Sequence, residues 1–417
     1  MPAVVIFEDE HIRNLYPLTL NRPVFDLRCG IRHLWQKVTS VYPQAEPGFY
    51  VRDFLTGIVS EYKRTNLINK GFSESVLFVN GRVLWDEDLA RQIPVEGEEE
   101  LFFFGAELVA ARLKGEHVEL FNPLPKLNLN SFYHLPARSV SAVCLNYFWD
   151  VVNNNSLEIK KDYQALGCNG SREGKVYEGV HLINAQEITI AAGASVKPGV
   201  IIDAEQGPVL IDSGATLYPN SVIEGPCYIG RDSQIKISAR IYKGTTIGEV
   251  CKVGGEVNES IIHSYSNKQH DGYLGHAYLG QWINIGAETN NSDLKNDYGE
   301  VTCIVNDEIV ATGSQFVGMA MGDFSRTAIN TMFNTGTVVG IGCNIFGVGF
   351  PPKYVPSFTW GGAEAMVEYR LDKCLDTVRR MMRRRNLEMT VEEEKLFEKL
   401  YLITDPDREK ARMMNRM

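Results

Sequence analysis

Residues 211–253 read "IDSGATLYPNSVIEGPCYIGRDSQIKISARIYKGTTIGEVCKV", and an aliphatic residue returns at every sixth position. Ile211, Leu217, Ile223, Ile229, Ile235, Ile241, Ile247 and Val253 form the series, and Ile190, Val196 and Ile202 keep the same step upstream. An α-helix would select every third or fourth residue and a half-buried strand every second, so neither explains a step of six. A short repeat of fixed length predicts a solenoid, in which each repeat buries one side chain against the repeats above and below it. The intervening residues, such as "DSGAT", "YPNS" and "YKGTT", suit the corners of a narrow coil.

The step then fails and returns. From Val253 to Leu279 is four sixes plus two; Leu279 and Ile285 resume the series. Residues 291–321 interrupt it again, as a loop or an extended excursion, before Phe333, Val339 and Ile345 restore it. Departures from a regular coil are where function tends to be placed. Outward from the solenoid (176–362), residues 1–150 alternate short apolar runs ("AVVIF", "SVLFVN", "ELFFF") with helix-compatible stretches and predict an α/β domain. A polar connector with helical character follows at 151–175. Residues 363–417 turn helical, with Thr390 and Glu393 forming a capping-box signature and "RRMMRRR" a solvated basic face.

Composition bounds the partners. A formal charge of -10 over 417 residues excludes a nucleic acid as the first-choice ligand, and no apolar run approaches a membrane span. The start, "MPAVVIFEDEH", turns acidic too early for a signal peptide. Eight cysteines without C-x-x-C pairs suit reduced thiols and a cytoplasmic setting.

The chemistry concentrates in residues 267–291, "NKQHDGYLGHAYLGQWINIGAETNN". A residue just before a buried aliphatic points outward, so Arg240 before Ile241 and Asn284 before Ile285 belong to the outer surface. His270 and Tyr273 lie in the irregular stretch between them. Arginine offers a planar fork for phosphate, tyrosine and asparagine neutral partners for hydroxyls, and histidine a proton acceptor at neutral pH.

The hexad repeat resembles that of the left-handed parallel β-helix acyltransferases; the left hand is implied by this resemblance, since parallel crossovers are ordinarily right-handed. The pattern His270, Tyr273-Leu274-Gly275, Asn284-Ile285-Gly286-Ala287, with Arg240 thirty residues before the histidine, resembles the acetyltransferase half of the bifunctional UDP-N-acetylglucosamine pyrophosphorylase/glucosamine-1-phosphate N-acetyltransferase family. The resemblance implies a trimeric, acetyl-CoA-dependent enzyme with His270 as general base. Arg240, Tyr273 and Asn284 would hold the sugar phosphate, Asn291 would stand at the sugar–acetyl junction, and Ala287 and Lys295 beside acetyl-CoA. The family's second phosphate-binding lysine falls on Asn258, leaving Lys268 or Lys295 as substitutes. The glycine after the alanine is Glu288. His276 has no counterpart and reads as structural.

At the N-terminus "RNLYPLTLNRP" resembles the start of sugar nucleotidyltransferases through Leu15, Pro17, Leu18, Thr19 and Pro23, and "RPVFDLRCG" with "NGR" resembles a divergent bacterial branch of the bifunctional family. The resemblance implies uridylyl transfer from UTP with Mg2+. The phosphate-cradling glycines are replaced by "FEDEHIR" and the magnesium-holding aspartate by Asn80-Gly81-Arg82, so Arg13, Thr19, Arg22, Asn80 and Arg82 are the expected nucleotide contacts. Two other readings stand beside this one. One is a non-catalytic assembly subunit, as in the translation-initiation exchange factor that pairs the same two domain types. The other is a zinc site of His263, His270 and His276, as in hexapeptide-repeat carbonic anhydrases.

Overall fold

The structure, a computed structural model, describes residues 3–72 and 74–414. It has the expected order: an α/β domain, a left-handed parallel β-helix and C-terminal helices.

The N-terminal sheet comprises β1 (Ala3–Phe7), β2 (Glu46–Tyr50), β3 (Ser75–Asn80), β4 (Glu100–Phe104), β5 (Glu107–Lys114) and β6 (Ala137–Ser139), in the order β2-β1-β3-β5-β4-β6. β1 is parallel to both neighbours, whereas β5 runs antiparallel to β3 and β4. The run "AVVIF" lacks alternation because β1 is buried on both faces of a central, covered sheet.

The predicted connector is an 18-residue helix, Phe148–Ala165, and it works as a strut. Asn155, Glu158 and Asp162, spaced three and four apart, put a buried polar stripe on one face. Asp162 accepts from the backbone N–H of Ile31 (2.8 Å) and Arg32 (3.0 Å) and from Lys37 Nζ (2.6 Å). Asn155 takes the Gly30 N–H and donates to the Gly244 carbonyl, joining both domains. Gly30 sits at φ +80°, and a Cβ there would lie 2.6 Å from Asp162 Oδ2, so only glycine fits. The segment "RPVFDLRCG" is therefore a docking segment: Arg28 pairs with Glu249 (2.6 Å) and its N–H donates to the Tyr278 hydroxyl.

In the solenoid the predicted hexad residues all point inward and form one stack. Ile211 pairs with Ile229 and Ile229 with Ile247, so each full coil is 18 residues, three hexads. The three faces are a long face of nine strands, a face carrying Lys252, Asn267 and Asn284, and a face carrying Arg240, Glu256 and Tyr273. Three residues after each inward side chain the chain turns a corner in the left-handed region: Gly193, Gly214 and Asp232, then Val250, Tyr265, Trp282, Phe324 and Phe358, all on one edge. The later members stack, Tyr265 on Trp282 at 4.6 Å and Trp282 beside Phe324 at 5.9 Å.

The lost register has a plain cause. Ile247 pairs with Ile262, 15 residues on, and Ile262 with Leu279, 17 on, so two coils are short. Leu279 pairs next with Met321, because the second interruption leaves the coil as an antiparallel hairpin, Thr302–Val305 with Glu308–Ala311.

The solenoid closes with Met366–Glu368 antiparallel to Thr359–Gly361, and the first C-terminal helix begins at Leu371. Thr390 caps the next helix, Val391–Ile403, through the expected box with Glu393. The helices fold back so that Phe397 and Leu400 share an apolar core with the long face and the N-terminal domain. The basic run does not simply face water: Arg379 pairs with Glu394, and Arg385 donates to Asn267 at 2.8 Å.

Candidate functional site

Arg240, Glu256 and Tyr273 occupy successive rungs of one ladder, with side chains directed out of the coil. Arg240 is half exposed and pairs loosely with Glu256 at 3.3 Å. Asn284 is exposed on the adjacent face, one rung from Asn267. His270 lies on the corner that joins these faces, between Lys268 on one and Tyr273 on the other. Its side chain is exposed and makes no hydrogen bond or ion pair with the described residues. Four of the expected residues thus flank a single edge. Ala287 is half-buried at the next corner, its carbonyl accepting from Asn330, and Glu288 beside it is exposed.

Tyr273 does not stand free. Its hydroxyl donates to Asp293 Oδ2 at 2.7 Å. The same carboxylate holds His276 Nδ1 at 2.8 Å, and Glu259 faces His276 Nε2 at 3.4 Å. Burial opposes the His276 charge, but Asp293 and Glu259 outweigh it and raise its pKa to about 9. His276 is therefore an imidazolium at neutral pH, and Tyr273 presents only its lone pairs outward. Asp293 was not anticipated; the acid two residues beyond Asn291 in "NNSD" was its only signal.

Several expectations are corrected. Asn291 occupies an inward position, 3 % exposed, and exchanges hydrogen bonds with the Gly275 backbone (2.9 Å each), so it cannot reach an acetyl group. Lys268 also points into the coil and does not replace the lysine missing at Asn258. Lys295 pairs with Asp297 at 3.2 Å on the inserted excursion. The three histidines of the zinc alternative do not converge on an ion. His263 is buried against the N-terminal domain, bonded to the Asp26 carbonyl, while His276 is held by carboxylates.

In the N-terminal domain the expected nucleotide contacts are committed to the fold. Arg82 is fully buried and grips Asp9 with Nε (2.8 Å) and Nη2 (2.7 Å), while Glu107 takes a third bond. Asn80 donates to Asp9 and to the Leu108 carbonyl, and Thr19 to the Ile12 carbonyl. Arg22 is salt-bridged to Asp323 of the solenoid. The crevice beyond the ends of β1 and β3, where an α/β sheet ordinarily admits a ligand, is filled by this network. A buried guanidinium there repels a cation, and no metal-holding group of three or more His, Cys, Asp or Glu occurs among the described residues, so Mg2+ does not fit. Beside it lies a cleft of ≈ 910 Å³, walled by the N-terminal domain, the inserted hairpin and the last helices. Arg13 is exposed at its rim, while Asp53, Asp307 and Asp407 make its lining largely acidic.

Residues 4–169 match the family model described as Sugar nucleotidyl transferase, a span that takes in the strut helix. The bifunctional protein GlmU of Rippkaea orientalis is 34% identical over 133 residues, 27% of this chain and 29% of that one. GlmU of Bartonella bacilliformis is 29% identical over 169 residues, 39% of this chain and 37% of that one. The chain thus spans about a third of the length of these curated relatives. Among solved structures, UDP-N-acetylglucosamine acyltransferase from Campylobacter jejuni aligns over 55% of this chain and 94% of that one, at 13% identity and a TM-score of 0.22, too remote to bear on function.

Proposed function

From a chain whose residues 4–169 belong to the sugar nucleotidyl transferase family and which resembles bifunctional GlmU proteins, we propose an acetyl-CoA-dependent N-acetyltransferase acting on glucosamine-1-phosphate, working as a cytoplasmic homotrimer. What carries the reading is the convergence of His270, Arg240, Tyr273 and Asn284 on one edge of the solenoid.

In this reading Arg240 leaves its loose pairing with Glu256 to take the sugar phosphate, and Asn284 meets a sugar hydroxyl. The Tyr273 oxygen, its proton given to Asp293, accepts from the substrate amine or a hydroxyl. His270 takes the proton from the amine as nitrogen attacks the thioester carbonyl; the N–C bond forms, the C–S bond breaks, and coenzyme A leaves as thiol. The test is thiol release from acetyl-CoA with a panel of amino-sugar phosphates. His270→Ala should lower the rate by roughly two to four orders of magnitude, with Tm unchanged because the side chain is exposed and unbonded. Full activity in this variant refutes the reading.

The family match extends the reading to uridylyl transfer in the N-terminal domain, with UTP in the ≈ 910 Å³ cleft. A second reading of this domain, as a scaffold for the solenoid, is favoured by the Arg82–Asp9 network that fills the crevice. Calorimetry of the full chain with UTP separates them: heat that saturates supports transfer, and none leaves a scaffold.

A further inference from the structure

The residue that breaks the inward aliphatic series nearest to His270 is Lys268. It pairs in register with Val253 and lies six residues before the inward Leu274, so its place in the coil calls for an aliphatic side chain. Its side chain is accordingly inside, 2 % exposed. Nζ donates to three backbone carbonyls, those of Gly254 at 3.0 Å, His270 at 3.2 Å and Gly272 at 2.7 Å. An ammonium has three N–H groups, and all three are used. Two of the carbonyls flank the corner that carries the His270 imidazole.

We infer that Lys268 is a positioning residue for His270, holding the corner loop from inside the solenoid so that the imidazole is presented outward in one orientation. The inference rests on the reading of His270 as the base. An aliphatic residue at this position would leave the His270 and Gly272 carbonyls without their donor in a water-poor interior, a cost that would drive the loop outward. The surrounding backbone is shaped for the ammonium. Gly255, at φ +69°, passes so close that a Cβ there would lie 2.8 Å from both Lys268 Nζ and the His270 carbonyl oxygen.

The anchor is also titratable. Burial lowers the Lys268 pKa to about 8; Asp271, Glu288 and Glu256 facing it raise it, and Arg240 lowers it further. The neutral amine has two N–H groups for three carbonyls, so deprotonation releases one of them and loosens the corner.

The experiment uses the full chain and two readouts on Lys268→Met: steady-state acetyl transfer, and hydrogen exchange over residues 267–275. Exchange should rise about tenfold or more in that segment. The turnover number should fall roughly 10–100-fold, the effect of a misplaced catalytic group, with the KM for acetyl-CoA moving less than about threefold. In the parent chain turnover should decline above about pH 8, and this limb should be missing from Lys268→Met. Unchanged exchange and turnover overturn the inference. Should Lys268→Met not fold, the parent chain still decides: protection at 269–273 must drop between pH 7 and 9 while that of the 223–247 coils holds, and constant protection at 269–273 overturns the inference. Activity surviving in His270→Ala overturns the base reading instead, and exchange alone then decides whether Lys268 holds the loop.

Discussion

His33 and His263 donate to the same oxygen, the Asp26 carbonyl, at 2.8 and 3.0 Å, one ring from the N-terminal domain and one from the solenoid. The rings lie 5.1 Å apart, and neither has room for a second proton. The other nitrogen of His33 accepts from Arg28, and that of His263 from Gln281. Burial, then Arg28 for His33 and Arg22 for His263, holds both pKa values well below the usual histidine range. Because the folded state refuses protons that the unfolded chain takes up below about 6.5, stability should fall as pH drops through that value. Calorimetric scans should show a lower Tm at pH 5 than at pH 7, and a smaller drop in His33→Asn/His263→Asn. An equal drop in the double variant would locate the acid sensitivity elsewhere.

His276 predicts the opposite sign. Its pKa is raised to about 9, so the stability it contributes is complete below about 6.5 and is lost as pH rises through 9. His276→Gln should cost about 1–3 kcal/mol at pH 7, the range for hydrogen bonds to charged groups, and flatten the alkaline limb of stability. The same change frees Asp293 and with it the Tyr273 hydroxyl, so the KM for the amino sugar should rise. Denaturant titration and kinetics on one preparation check both; an unaltered alkaline limb contradicts the assignment.

Arg82→Ala should behave as a core mutation rather than a ligand-site mutation. Removing the guanidinium leaves Asp9 unpaired in the interior, a loss of roughly 3–5 kcal/mol. Urea unfolding measures this directly. A stability near that of the parent, together with weakened UTP binding, would restore Arg82 to the nucleotide-contact role expected from sequence.

Arg240→Lys keeps the charge and loses the fork. It should raise the KM for the phosphorylated sugar several-fold or more while leaving acetyl-CoA almost untouched. Equal weakening of both substrates would place Arg240 in subunit contacts instead.

The solenoid was readable because its signal is local and repeated: every hexad from Ile190 to Val253 buries an aliphatic in register. It faded where Lys268 and Asn291 took inward positions and where coils of 15 and 17 residues replaced 18. The outward placement of Arg240 and Asn284 followed from the same alternation. The N-terminal arginines were misassigned for a different reason. Arg22 is bound by Asp323, 301 residues away, and Arg82 by Asp9, 73 residues back, and nothing beside either arginine announces its carboxylate. The polar face of Phe148–Ala165 likewise looked like solvent exposure because its partners, Gly30, Arg32 and Lys37, lie more than a hundred residues earlier.

The stacked corner has a bearing on synthesis. Tyr265, Trp282, Phe324 and Phe358 hold the left-handed conformation that costs an ordinary residue about 1–2 kcal/mol, and Phe324 and Phe358 find their cover in Phe397, with Tyr401 also against Phe358. That cover is made last. A chain emerging from the ribosome completes its aromatic edge by residue 358 and must carry it bare in water until Val391–Ile403 has been added and folded back. The final helices therefore act as a closing latch in time as well as space, and a nascent chain stalled before them is the form most exposed to chaperones and to self-association.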